Sequence, residues 1–374
     1  VRLNIPTLDD AELKAVGEVL ATGMLTQGAQ AARLEQLMCE LTGASRAAAV
    51  SSATTGLHLA LVALGVGPTD EVIMPAFSFP ATANVVVQQG ARPVFADIDP
   101  VTFNIRPDLI EAAVTSRTKA VMPVHAFGLC AEMDAINEVA GRHGLPVIED
   151  AACAVGGTFR GRAAGSMGTA GVFSFHPRKV ITTGEGGMIT TSDEALADQL
   201  NLLRAHGARR GELFMEFVEA GFNYRLSDIH AAIGVVQMGK LLAIVAERQR
   251  LAAALSSRLV DIEGVTVPSA PSHVVPTFQS YVVRLDDLID RDGVIRSLRE
   301  LDIESTLGTY GMHLQPYFQK TMGDLAADLP NATQAHHQAL TLPLYPGLAD
   351  GDLDQIATAL RAAVAKNRRS AQPS

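Results

Sequence analysis

The sequence predicts an α/β protein: a large domain built on a mostly parallel sheet with helices on both faces, and a smaller α+β domain at the C-terminal end. Three observations lead there. Up to Leu200, short apolar runs alternate with helical stretches, the pattern of a sheet whose strands are joined through crossover helices. The 374 residues exceed what one compact core normally holds, so two domains are expected. From Ser227 to Leu259, apolar residues recur at helical spacing through Ile229, Ile233, Val236, Leu241 and Val245, a helix long enough to bridge two domains. We place the large domain at 1–245 and the small one at 246–374.

Taken in order, Thr7-x-x-Asp10 predicts a helix start, with Leu13, Val16 and Leu20 on its apolar face and Gly23 as its stop. A second amphipathic helix carries Leu34, Leu37 and Leu41 and ends before Gly43. The strand candidates follow: Ala47 to Val50, Val72 to Pro75, Pro93 to Ile98, Ala120 to Val124, Val147 to Ile148 and Val172 to Phe175. Beyond the long helix, Ser280 to Leu285 reads as a strand, and Asp290 to Leu301 and Asp352 to Ala365 read as helices. The polar tail from Asn367 to Ser374 is expected to fray.

Composition removes several classes of function. Nearly half the residues (48%) are apolar and 19% are charged, which suits a large buried core and excludes a disordered chain. A net charge of -10 without any basic block argues against nucleic acid or an anionic membrane as partner, so a bound phosphate must be held locally. Cys39, Cys130 and Cys153 are odd in number and lack metal-type spacing, which predicts neither a disulfide framework nor a metal site and fits a reducing cytoplasm. No signal-like N-terminus or bilayer-length apolar run is expected.

The chemistry concentrates at one lysine. Phe173-Ser-Phe-His-Pro-Arg-Lys179 runs from a strand into Thr182-Thr-Gly-Glu-Gly-Gly187, downstream of the acidic strand end Val147-Ile-Glu-Asp150. A lysine amine becomes a nucleophile where desolvation or nearby cations favour its neutral form, and it then forms an imine with an aldehyde. Pyridoxal phosphate is the expected aldehyde. Its ring nitrogen acts as an electron sink when a carboxylate keeps it protonated, which Asp150 would do. Either residue alone reads more simply as a surface charge or a turn residue; their shared context favours the cofactor.

Other segments are predicted to converge on the same sheet edge, where open α/β sheets bind ligands. In Val50-Ser-Ser-Ala-Thr-Thr-Gly-Leu-His58 a strand passes through small polar residues into a helix, whose N-terminal amides and dipole suit a phosphate. Phe79, in Pro75-Ala-Phe-Ser-Phe-Pro80, is placed to cover a flat heteroaromatic ring. His125, in Val124-His-Ala-Phe-Gly128, is a candidate substrate contact. His176 is read as a hydrogen-bonded structural residue, and His336-His337 do not make a metal site by themselves. Arg204 and Arg225 suit either a bound carboxylate or phosphate or an ion pair at an interface or on the surface.

These segments resemble the DegT/DnrJ/EryC1/StrS family, sugar aminotransferases of fold-type I, over essentially the whole chain. The resemblance rests on five ordered motifs: Val147-Ile-Glu-Asp-Ala-Ala-Cys153, Phe173 to Lys179, Thr183-Gly-Glu-Gly-Gly187, Gly221-Phe-Asn-Tyr-Arg-Leu-Ser-Asp228 and Leu342-Pro-Leu-Tyr-Pro-Gly347. It implies that Lys179 is the Schiff-base lysine, Asp150 the partner of the pyridine nitrogen and Phe79 the stacking aromatic. It further implies that Ala53, Thr54 and Ser174 hold the cofactor phosphate, joined by Asn223 from the neighbouring subunit of a homodimer. Tyr310 and His313 match a segment near the sugar-nucleotide pocket.

The sequence departs from the family at Cys153, where glutamine or histidine is usual beside the cofactor's phenolic oxygen. A thiol is a poor hydrogen-bond donor. Phe127 stands where tyrosine is frequent and Val180 where asparagine is frequent. The implied activity is a ping-pong transfer of an amino group from L-glutamate, through pyridoxamine 5'-phosphate, to a nucleotide-linked keto sugar. A keto-cyclitol of the scyllo-inosose type aminated from glutamine is the alternative acceptor, and a cofactor-holding sensor without turnover is the alternative from outside catalysis. Family dehydratases carry histidine at the lysine position, so Lys179 speaks against that activity.

Overall fold

The computed structural model describes residues 1–369. The large sheet consists of β1 (Arg46–Val50), β2 (Glu71–Pro75), β3 (Arg92–Ala96), β4 (Thr118–Val121), β5 (Ile148–Asp150), β6 (Ala170–Ser174) and β7 (Gly187–Thr191). Their order is β1-β7-β6-β5-β4-β2-β3, with the β5–β4 step made by the parallel bridges Val121–Val147 and Val124–Asp150. All run parallel except β7, which pairs antiparallel with both neighbours. Sequence reading missed β7 because its glycine-led start, Gly186-Gly187, has the composition of a turn.

Alternation along the strands explains why both faces are covered. Ala49, Ile73, Val121, Phe173 and Met188 point into a core shared with the helices Ala29–Thr42, Met133–Arg142 and Asp228–Leu259. Val50, Val72, Met74, Ile148, Val172 and Ile189 point the other way, against Ala53–Ala63, Ala81–Gln88 and Glu194–Arg204. A period-2 strand packed on two sides has no polar face, and this sheet shows none.

The first helix, Asp10–Thr22, corrects two expectations. Its cap is Asp9, which forms a capping box with Glu12, rather than Thr7. Leu13 (73% exposed) and Leu20 (55%) lie outside, whereas Glu12 and Val19 are buried. Glu12 faces inward because the long helix supplies its partners, Lys240 Nζ at 2.7 Å and Gln237 Nε2 at 2.7 Å. This ion pair, invisible to hydrophobic periodicity, lies on the helix's buried side with Val19.

The small domain carries an antiparallel sheet in the order Val265–Thr266, Tyr281–Leu285, Ala339–Leu342, Thr306–Leu307, packed on Arg291–Glu300 and Asp350–Lys366. The helix Asp228–Leu259, capped by Ser227, contributes Leu241, Ile244 and Val245 to the large-domain core and Leu251, Leu255 and Leu259 to the small-domain core. This helix is long and apolar enough to cross a membrane, contrary to expectation. Its burial in two cores and its buried Arg248 give it another job. Asn367 donates to Ser297 Oγ at 3.0 Å and Arg369 N–H to Leu288 O at 2.7 Å, so the expected fraying does not begin at Asn367. The rest of that tail, 370–374, lies outside the described residues.

Arg248 is 1% exposed and donates to Phe278 O and Leu344 O at 3.0 Å and to Asn4 Oδ1 at 2.7 Å. Burial lowers its pKa to about 10. Arg248→Met is expected to leave these buried acceptors unmatched, at about 1–3 kcal/mol for each one that water cannot reach. Urea denaturation checks this; a midpoint equal to that of the parent protein would refute it.

Candidate active site

The carboxyl ends of the parallel strands fix the first functional group. Asp150 ends β5, its carbonyl accepting the His125 N–H at 3.0 Å and its own N–H donating to Pro123 O at 2.9 Å, so strand register places the side chain. The carboxylate is 5% exposed. Thr82 donates its hydroxyl to Asp150 Oδ2 at 2.9 Å, and the Ala152 N–H donates to Oδ1 at 3.2 Å. Burial pushes the Asp150 carboxyl above the usual carboxylate range; the Thr82 hydrogen bond, the nearby Lys179 charge and the Ala152 N–H pull it back.

Thr82 was missed in the sequence, although Ser78 and Thr82 are spaced as one helical turn and their hydroxyls meet at 3.0 Å. Thr82→Val removes a donor that favours charged Asp150. The acid limb of activity is therefore expected to move to higher pH, with about a tenfold lower rate if the bond contributes about 1.5 kcal/mol. A pH–rate profile superimposable on the parent's would refute the assignment.

Lys179 lies just past the end of β6. Its N–H donates to His176 O at 2.8 Å, closing a turn, and its Nζ donates to Cys153 Sγ at 3.1 Å. The thiol thus acts as an acceptor here, which its weakness as a donor does not impair. Thr277 Oγ1 donates to Cys153 O at 2.9 Å from the loop before Tyr281–Leu285. Gly128, at φ 94°, lets that loop close: a Cβ there would overlap Thr277 Oγ1. His176 Nδ1 accepts the Arg178 N–H at 3.2 Å within the same turn.

The phosphate candidates meet across β6 and β7. Ser174 pairs with Gly187, and a Cβ on Gly187 would stand 2.6 Å from the Ser52 carbonyl carbon and 2.7 Å from Ala53 N. Glycine is therefore required where the strand passes under the helix start. Ser52 caps that helix by accepting the Thr55 N–H at 3.1 Å. The first-turn amides of Ala53 and Thr54 have no acceptor within the helix, and they carry its positive end. Ser174 Oγ is near the His176 N–H at 3.4 Å.

Phe79 is 64% exposed and meets Tyr310 edge-on, with centroids 6.3 Å apart. The short pairing of Phe77–Ser78 with Tyr310–Gly311 brings the two together. The other substrate candidates do not join them. His125 is fully buried: Nε2 is 2.9 Å from Glu149 Oε2, and Nδ1 accepts the Ala131 N–H at 3.2 Å. Both nitrogens are occupied inside the protein. His313 is also buried, with Nε2 2.8 Å from Thr333 Oγ1, and burial lowers its pKa. Asn223 stands on its own chain's surface, where Oδ1 accepts from Arg225 Nε at 3.0 Å. Arg204 makes an internal ion pair with Glu35 at 2.6 Å and donates to Ala49 O at 2.8 Å.

A buried carboxylate, a lysine amine at a strand end and a free helix N-terminus thus line one sheet edge. The sequence profile of the DegT/DnrJ/EryC1/StrS aminotransferase family matches residues 6–361. The chain belongs to that family. Spore coat polysaccharide biosynthesis protein SpsC of Bacillus subtilis is 39% identical over 96% of this chain and 95% of its own. The aminotransferase TlmJ of Streptoalloteichus hindustanus superposes with a TM-score of 0.91 at 35% identity, covering 97% of this chain and 98% of TlmJ. Spr1654 of Streptococcus pneumoniae in its PLP form gives a TM-score of 0.93 at 26% identity, over 98% of this chain and 99% of Spr1654; a PMP form is known as well.

The protein is accordingly a pyridoxal-phosphate-dependent aminotransferase of fold-type I, in a family of sugar aminotransferases. Its residues fit the cofactor. Asp150 is buried without an arginine or lysine salt bridge among the described residues, a setting that a protonated ring nitrogen would complete. The absence of a side chain at Gly187 lets the strand pack directly against the start of the Ser52-capped helix, and the first-turn amides of that helix suit a phosphate.

Proposed function

We propose that this aminotransferase moves the amino group of L-glutamate to a keto sugar carried on a nucleoside diphosphate, by a ping-pong cycle in the cytoplasm. The observation that carries this reading is the pairing of Lys179 with Cys153 on the edge where Asp150 is buried. When bound, pyridoxal phosphate supplies the electron sink that makes the donor's α-proton removable. Lys179 would hold the cofactor, and its Nζ would move that proton. Asp150 keeps the ring nitrogen charged. Phe79 would cover the ring face, while Ala53, Thr54 and Ser174 would hold the phosphate. Asn223 of a second copy would complete that site in a homodimer, and Tyr310 borders the acceptor.

The family assignment and the polysaccharide role named for SpsC support a sugar acceptor. The test is a panel of nucleotide-linked keto sugars, free keto sugars and keto-cyclitols with ¹⁵N-labelled glutamate or glutamine. We expect label in a nucleotide-linked amino sugar from glutamate. Label only in a cyclitol, or only from glutamine, would replace the acceptor or donor, and no multiple turnover with any pair would favour a cofactor-holding sensor.

A further inference from the structure

The turn that presents Lys179 is held by residues distant in sequence. Asn4 Nδ2 donates to Pro177 O at 2.9 Å, and Gln279 Nε2 donates to Arg178 O at 2.7 Å. These carbonyls belong to the two peptides immediately before Lys179, so their directions set the path by which the lysine enters the site. The turn's own bond, Lys179 N–H to His176 O, uses neither of them.

Both amides are themselves oriented. Asn4 Oδ1 accepts from Arg248 Nη2 at 2.7 Å, and the reversed amide would aim N–H groups at the guanidinium. Gln279 Oε1 accepts from Ser280 Oγ at 3.1 Å. Arg248 also donates to the carbonyls of Phe278 and Gln279 at 3.0 and 3.3 Å. One buried guanidinium therefore gathers the N-terminal segment and the 276–280 loop, and each sends one amide to the lysine turn.

We propose that Asn4 and Gln279 are positioning residues for Lys179, transmitting the placement of the N-terminal segment and the small-domain loop to the catalytic amine. The proposal rests on Lys179 acting as that amine. Proton transfer is sensitive to geometry, and a displacement of about 1 Å can cost about 10²-fold in rate. Neither residue needs to touch substrate for this effect.

The test uses Asn4→Asp and Gln279→Glu in the full-length, cofactor-loaded enzyme. Each keeps the acceptor oxygen and the side-chain shape but removes the donor to the turn, and Asn4→Asp keeps a partner for Arg248. We expect kcat to fall about tenfold, an intermediate fraction of that geometric limit, with KM for glutamate changed less than about twofold. The pH midpoint of the lysine-bound cofactor's visible band should shift. In the cofactor-free variants, amide exchange should quicken within 176–180 but not in β5 or β6.

Unchanged kcat, band midpoint and exchange would overturn the proposal. So would exchange that quickens across the whole sheet alongside a lower melting temperature, which would make the residues merely structural. Lys179→Ala, run beside them, keeps the two claims apart. Full turnover in Lys179→Ala removes the underlying reading; its loss with unaffected Asn4→Asp and Gln279→Glu removes only the positioning role.

Discussion

Lys179→Ala is expected to lose at least about 10³-fold in turnover, because on the proposed reading one side chain is both covalent anchor and proton carrier and proton transfer alone contributes about 10²–10⁴-fold. Cofactor affinity should fall less, since Ala53, Thr54, Ser174, Asp150 and Phe79 remain. Borohydride reduction of the loaded parent protein should label the peptide containing Lys179 and leave the variant unlabelled. Added methylamine should restore some turnover by supplying a free base. Label on another lysine, or parental turnover in the variant, would show that the amine has been misassigned.

Asp150→Asn should separate catalysis from stability. Without the carboxylate the ring nitrogen loses its ionic partner, and a loss of about 10²–10³-fold is expected by analogy with removal of a preorganised electrostatic contact. The cofactor-free variant should nevertheless melt higher than the parent protein at neutral pH. Burial raises the folded-state pKa of Asp150, so the folded protein holds this proton more tightly than the unfolded chain does. The associated stability is fully present below the unfolded pKa of about 3.9 and is lost as pH rises through the folded value. The variant's advantage should accordingly vanish in acid and appear on the alkaline side of that window. Calorimetry across pH checks it; an Asp150→Asn protein less stable than the parent at every pH would refute the account.

Most of the sheet was legible because its strands are short, apolar and bounded by turn residues, and the interdomain helix because its periodicity is sustained from a serine cap. Strand β7 was not, since its informative residue, Gly187, is defined by what a side chain would hit rather than by any pattern. The first helix misled because Glu12 is buried by Lys240, more than two hundred positions away. Lys179, Asp150, Ser174 and Phe79 lie, as expected from their motifs, at strand ends or in the turns after them, and their roles rest on the proposed function. His125 could not be read correctly. Its position at a strand end suggested ligand contact, but the neighbouring Glu149 claims its ring. Thr82 and Gln279 were hidden for the opposite reason: they act through hydrogen bonds to groups elsewhere in the chain.

The helix Asp228–Leu259 has 32 residues and spans about 48 Å at 1.5 Å per residue. A continuous rod embedded in both hydrophobic cores leaves little scope for a hinge between them. Heating should consequently melt the two halves in one cooperative step, and cutting the chain at 245 should yield two insoluble fragments rather than two folded ones. On that reading, ligands are expected to enter and leave through local rearrangement of surface segments, with the scaffold as a fixed chassis.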